Sequence, residues 1–212
     1  MNLQVFFLKK LPINKFMFLT KSRFNLGITC PTKLYFDSNP LQFENNDNGN
    51  DFMKALAKGG IQVGEMAKLY YPQGVEIDTK SKQEQLQQTN TALTKKNVII
   101  YEAAIKFKNR FIRVDILVKT GDLIKIIEVK SKSCDGNEES QFLNKSNTID
   151  NNQRPYLQDI SFQYLVCLDF FKDYTVIPFL MMPDKNIACS VDGTYQKFVI
   201  FNDGHRDICN IV

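Results

Sequence analysis

The stretch VIIYEAAIKFKNRFIRVDILVKTGDLIKIIEVKS, residues 98–131, holds three runs rich in Ile, Val, Phe and Tyr separated by short polar breaks. Such runs predict β-strands at 98–107, 110–118 and 123–130. The cluster Lys119-Thr120-Gly121-Asp122 is a turn signal whose Gly-Asp pair favours a hairpin. Pairing of the last two strands would bring their charged positions together. Asp115 interrupts Ile112, Val114, Ile116 and Leu117, and Glu128 follows Ile124, Ile126 and Ile127, so both acids emerge from segments expected to be buried. Buried carboxylates are costly unless they are paired or bind a metal. A hard cation such as Mg²⁺ takes a few carboxylate oxygens plus waters, and it acidifies water enough to supply a nucleophile near neutral pH. Lys130, two residues beyond Glu128, shares its strand face and would sit beside that water. The competing reading of the triplet is an ordinary surface ion pair between Glu128 and Lys130, which contributes little.

The 212 residues suit one globular domain, and 43% apolar content supplies a sizeable core. The 27 basic and 23 acidic residues leave a net charge of +4, too small to favour a polyanion unless the cations cluster. They do cluster: Lys9, Lys10, Lys15, Lys21, Arg23 and Lys33 lie near the start, and a second group lies within 106–113. Lys21, Arg23 and Lys33 interleave with Phe24, Tyr35 and Phe36, a pattern suited to phosphate contact and base stacking. Five cysteines form no C-x-x-C pair, which predicts reduced thiols, a cytoplasmic location and no zinc site. The apolar opening is broken by Lys9, Lys10, Pro12 and Lys15, far short of the roughly 20 apolar residues a membrane span needs. It reads as a strand or packing segment. A cleaved targeting peptide fits less well, because its positive charges would precede the apolar patch.

Along the chain, Ser22 is placed to cap a short helix ending near Cys30-Pro31, and residues 38–50 read as an Asn-rich loop. Residues 51–71 carry an interrupted apolar face, with Gly59-Gly60 expected to divide two helices. The stretch 80–97 suits a polar, exposed helix beginning near Ser81. Residues 132–154 form the least hydrophobic region and predict an excursion, followed by a helix over about 156–171 and strands at 174–182 and 196–201. The tail beyond has no clear pattern, and His205 within it reads as a surface residue.

This order, with an acid on one strand and E-V-K on the next, resembles the PD-(D/E)XK nuclease superfamily, and more narrowly its RecB-like branch, which includes the CRISPR-adaptation exonucleases. LTKSRFNLGITCPTKLYF (19–36) resembles the opening helix and Cys-Pro segment of that branch, and GIQVGEMAKLYYPQGVEI (60–77) its acidic or histidine-bearing helix. LQDISFQYLVCL (157–168) resembles the helix that flanks its site. The resemblance implies an α/β fold with a restriction-endonuclease-like core, a mixed central sheet flanked by helices in the order αβββαβ. The chain would form one domain, its core about 19–182, with 183–212 as a C-terminal extension, truncated if the chain derives from a longer nuclease. The implied metal set is Glu65, Asp115, Glu128 and the Val129 carbonyl, holding Mg²⁺ or Mn²⁺. The implied catalytic set is Asp115, Glu128, Lys130 and Gln163, with Tyr164 joining Lys21, Arg23, Lys33 and Tyr35 on nucleic acid. Glu102 faces inward or outward according to strand register.

Some relatives hold an iron-sulfur cluster on one early and three late cysteines, a pattern that Cys30, Cys189 and Cys209 do not complete. The expected function is therefore metal-dependent hydrolysis of nucleic acid, DNA favoured over RNA. The alternative is an inactive nucleic-acid-binding or accessory subunit of the same fold. Without a G-x-x-x-x-G-K-[ST] motif, unwinding would need a helicase partner, and repair or defence partners fit the same class.

Overall fold

A computed structural model describes residues 17–43, 51–137, 141–202 and 207–211. The opening residues 1–16, most of the expected 38–50 loop and His205 lie outside the described residues. The protein is mixed α/β. Its helices are α1 (Lys21–Thr29), α2 (Pro31–Asp37), α3 (Asp51–Leu69), α4 (Lys82–Leu93) and α5 (Arg154–Phe170). Its strands are β1 (Val75–Glu76), β2 (Asn97–Phe107), β3 (Arg110–Thr120), β4 (Leu123–Val129), β5 (Thr175–Met181), β6 (Phe198–Asn202) and β7 (Asp207–Ile211).

Strands β1 to β5 form one sheet in sequence order, and β6 and β7 pair separately. The expected meander is present: β2, β3 and β4 are antiparallel neighbours, and the α5 crossover returns the chain to β5, parallel to β4. Both hairpins turn in two residues. Gly121 adopts a φ of 58° at the β3–β4 turn, which glycine does without a Cβ penalty, whereas Lys108 takes a φ of 53° at the β2–β3 turn. The main core lies where α4 and α5 cover β2 to β5, around Ile100, Ile105, Leu117, Ile126, Phe162 and Val166. A smaller cluster of Ala67 of α3 with Tyr101, Ile116 and Ile127 holds the opposite face.

Several boundaries differ from the sequence reading. Thr20, not Ser22, caps α1, its side chain accepting from Arg23 N, and residues 31–37 form a second helix with Pro31 at its first position. Helix α3 runs unbroken through Gly59-Gly60, because glycine weakens a helix by only about 1 kcal/mol whereas proline would stop it. Helix α4 begins at the expected Ser81 cap but is not wholly exposed: Gln85, Thr89 and Ala92 are buried, and Thr89 Oγ1 accepts from Ala104 N at 3.0 Å. The strand expected at 196–201 is β6, and the tail beyond it, which shows no pattern, supplies β7, which pairs with β6 and packs on α3.

The glycines give a stability test. A Cβ on Gly59 meets nothing within 4 Å, whereas one on Gly74 would lie 2.3 Å from the Tyr101 ring. Gly59→Ala is expected to stabilise the protein by about 0.5–1 kcal/mol in urea denaturation, and Gly74→Ala to destabilise it. The reverse order would show that α3 is not a continuous helix beside this sheet.

Candidate active site

Asp115 and Glu128 lie one residue beyond the Ile116↔Ile127 pair, so the hairpin register sets them side by side on adjacent strands. Glu102 falls between the pairs Tyr101↔Ile116 and Ala103↔Val114, which places it against Asp115 from the other side. Three strands therefore present a row of three carboxylates. The alternation of faces slips at this row: Val114 and Leu117 belong to the same core cluster though three residues apart, and Glu102 takes a left-handed φ of 55°. Breaks of this kind re-aim side chains next to functional sites, and a left-handed non-glycine residue inside a strand is a strained one.

The row opens on a cavity of about 560 Å³ lined by charge. Its carboxylates are Glu65, Glu76, Glu102, Asp115 and Glu128, and its cations Lys21, Lys68, Arg113 and Lys130. Ala57, Gly60, Ile61 and Gly64 of α3 form an uncharged wall, and Ile208 and Cys209 of β7 close another side.

Glu128 is the most heavily engaged member, only 1% exposed. Its Oε1 accepts from Lys21 Nζ at 2.6 Å and pairs with Lys130 Nζ at 2.7 Å, and its Oε2 accepts from Gln163 Nε2. Lys130 also donates to Asp159 Oδ2, and Asp159 Oδ1 accepts from Asn25 Nδ2. Asp115 has a different partner, accepting from Val129 N at 2.7 Å. Burial foremost, then the negative charge of Glu128, pushes the Asp115 carboxyl up to about 7, against the pull of Lys21 and the Val129 N–H. Burial alone would pull both Lys21 and Lys130 down. Burial is the largest single influence on each, but the Glu128 charge and hydrogen bond, together with Asp115 at Lys21 and Asp159 at Lys130, outweigh it, so both ammoniums stay above the ordinary lysine value. Desolvation raises Glu102 as well, in part offset by Arg113 at 3.1 Å.

The residues fit a hard divalent cation in one respect and limit it in another. Adjacent carboxylates, one of them held above its normal pKa by burial and by its neighbour, offer oxygen donors to a cation, and two ammoniums are already drawn to Glu128 Oε1. Among the described residues no group of three or more Asp, Glu, His or Cys side chains is arranged to hold a metal. A hydrated cation such as Mg²⁺ keeps several waters and needs only one or two carboxylates.

The other residues singled out in the sequence distribute unevenly. Glu65 lines the same cavity, but its carboxylate accepts from Lys68 at 2.7 Å, as does Glu76. Gln163 is fully buried on Glu128. Lys21 enters the cavity, Arg23 pairs with Asp37 at 2.7 Å and bonds Ser38, and Lys33 is exposed on α2. Tyr35 is exposed in a ring cluster with Phe36 and Phe43. Tyr164 packs half-buried against the main core. Asn25 carries no sequence signal as a single amide on a short helix, and Asp159 shows only in its spacing of four from Gln163, which puts both on one helical face.

No family model matches this chain, and neither the curated proteins nor the solved structures offer a match. The site therefore rests on its own geometry.

The raised Asp115 carboxyl has a direct consequence for stability. An acid whose folded pKa exceeds its unfolded value destabilises the fold progressively as pH rises from the unfolded pKa, near 4, to the folded one, about 7. In EDTA, Asp115→Asn should therefore unfold at nearly the wild-type temperature at about pH 3.5, below the unfolded pKa. At pH 8 it should be more stable than wild type by about 1–3 kcal/mol. A difference that does not change between those pH values would show that Asp115 is not held in a charge-disfavouring site.

Proposed function

We propose that the protein is a nuclease of the PD-(D/E)XK type, hydrolysing phosphodiester bonds of nucleic acid, DNA in preference to RNA, with a divalent cation. The observation that carries this reading is the placement of Asp115 beside Glu128, with Lys130 on Glu128, in one charged cavity. The strand order supports it: an antiparallel meander, a crossover helix and a parallel fourth strand are what the αβββαβ resemblance implies.

Asp115, Glu128 and the Val129 carbonyl would hold the cation, with Glu65 joining once released from Lys68. The cation would supply Lewis acidity, acidifying water and offsetting phosphate charge. Lys130 keeps its proton at neutral pH, because Glu128 and Asp159 stabilise its ammonium. It therefore acts as a positive hydrogen-bond donor to the water or the phosphate, and the base role is left to a carboxylate. Gln163 fixes the orientation of Glu128 through Oε2. Lys68 and Arg113, on the same cavity, are placed to meet phosphate oxygens if a substrate draws them from Glu65, Glu76 and Glu102.

End-labelled and circular DNA, single-stranded and duplex, assayed in Mg²⁺, Mn²⁺ or EDTA, tests the reading. Cleavage is expected only with a divalent cation. Lys130→Met should reduce single-turnover cleavage by about two orders of magnitude or more while cation binding persists. Asp115→Asn should weaken cation binding itself. Nucleic-acid binding without cleavage in any cation would assign the chain to a non-catalytic binding role instead.

A further inference from the structure

We infer that Asp159, itself held by Asn25, is the positioning residue that keeps the Lys130 ammonium aimed at the scissile phosphate when Glu128 engages a cation; this rests on the nuclease reading above.

A lysine head on a four-carbon stem does not stay in one place unaided. Its three donors need acceptors, and the flexible stem loses rotamer entropy when it is held. Lys130 has two anchors, Glu128 Oε1 at 2.7 Å and Asp159 Oδ2, which leave one N–H for a substrate or water. Glu128 is the weaker guarantee. It already shares Oε1 with Lys21, and a cation would compete for the same oxygens. Asp159 lies on α5, outside the cavity lining, so a cation there leaves its contact intact.

The scaffold around Asp159 is built for holding. Asp159 and Gln163 lie four apart on α5 and so share a face, delivering one carboxylate to Lys130 and one amide to Glu128. Lys21 and Asn25 lie four apart on α1 and answer them, Lys21 on Glu128 and Asn25 on Asp159. The two helices are locked at this level by Phe24 stacked on Phe162, with ring centroids 4.5 Å apart. Asp159 is buried, and an uncompensated carboxylate there would be costly, so its pairing with both Lys130 and Asn25 is needed in the fold as it stands. The same contact then fixes the lysine.

The test combines Asp159→Asn, Asn25→Ala and Lys130→Met with the double variants Lys130→Met/Asp159→Asn and Lys130→Met/Asn25→Ala in the full chain. Asp159→Asn should slow single-turnover cleavage by about tenfold or more, with the DNA dissociation constant changed by less than about threefold. In the Lys130→Met background the same substitution should cost nothing further, because Asp159 acts through Lys130. Asn25→Ala, which keeps Asp159, should give a smaller loss that also vanishes in that background, and it carries the test if Asp159→Asn does not fold. An equal loss in both backgrounds, or an undiminished rate, would overturn the inference.

A second readout does not depend on activity. The ¹⁵N-ammonium signal of Lys130, protected from exchange by its two anchors, should be present in the wild type and lost in Asp159→Asn. Its persistence in the variant would overturn the holding contact. A wild type that cleaves no DNA would instead overturn the nuclease reading, and the ammonium signal keeps that failure distinct from failure of the contact.

Discussion

A carboxylate buried to 1% exposure must be neutralised from every side, and Glu128 is where the structure meets that requirement. Two ammoniums and one amide converge on it from α1, from its own strand end and from α5. These contacts fix how α1 and α5 dock on the sheet, in register with the Phe24–Phe162 stack. Breaking one partner of such a buried pair generally costs about 3–5 kcal/mol, which makes the group a strong organiser even where its net contribution to stability is small.

The carboxylate row adds tension to that arrangement. Glu102 is held at an unfavourable φ and paired to Arg113, Glu65 and Glu76 share Lys68, and Asp115 accepts from the Val129 N–H. A site that satisfies four of its carboxylates with side-chain cations and leaves the fifth pushed up to about 7 is poised to take further positive charge. The strain and the raised carboxyl lie in one row across three strands, and such departures gather where function is built.

Much of this was legible in the sequence. The Gly121-Asp122 turn determines the β3–β4 register, and the register alone makes Asp115 and Glu128 neighbours, so the central pair follows from the two-residue period of a strand. The Ser81 cap and the apolar face of α5 were likewise readable from local chemistry. Other features depend on partners far away in the chain. Lys21 reads as a surface cation until Glu128, 107 residues later, draws it inward, and Asn25 has meaning only once α1 lies on α5. Strand β1 is two residues long and is defined by its pairing with β2, not by its composition. The β6–β7 hairpin closes on α3 through tertiary contacts that no local pattern announces. Glycines mislead in α3 because a helix absorbs their cost when its other residues pack.

The most direct measurement is a crystal structure of the full chain soaked in Mn²⁺, with anomalous diffraction recorded at the manganese edge. The predicted peak lies between the Asp115 and Glu128 carboxylates, with the Lys21 ammonium withdrawn from Glu128 and Lys130 still on Asp159. No peak at that place at millimolar Mn²⁺, with Lys21 still bonded to Glu128, would contradict a cation-dependent centre on this carboxylate row.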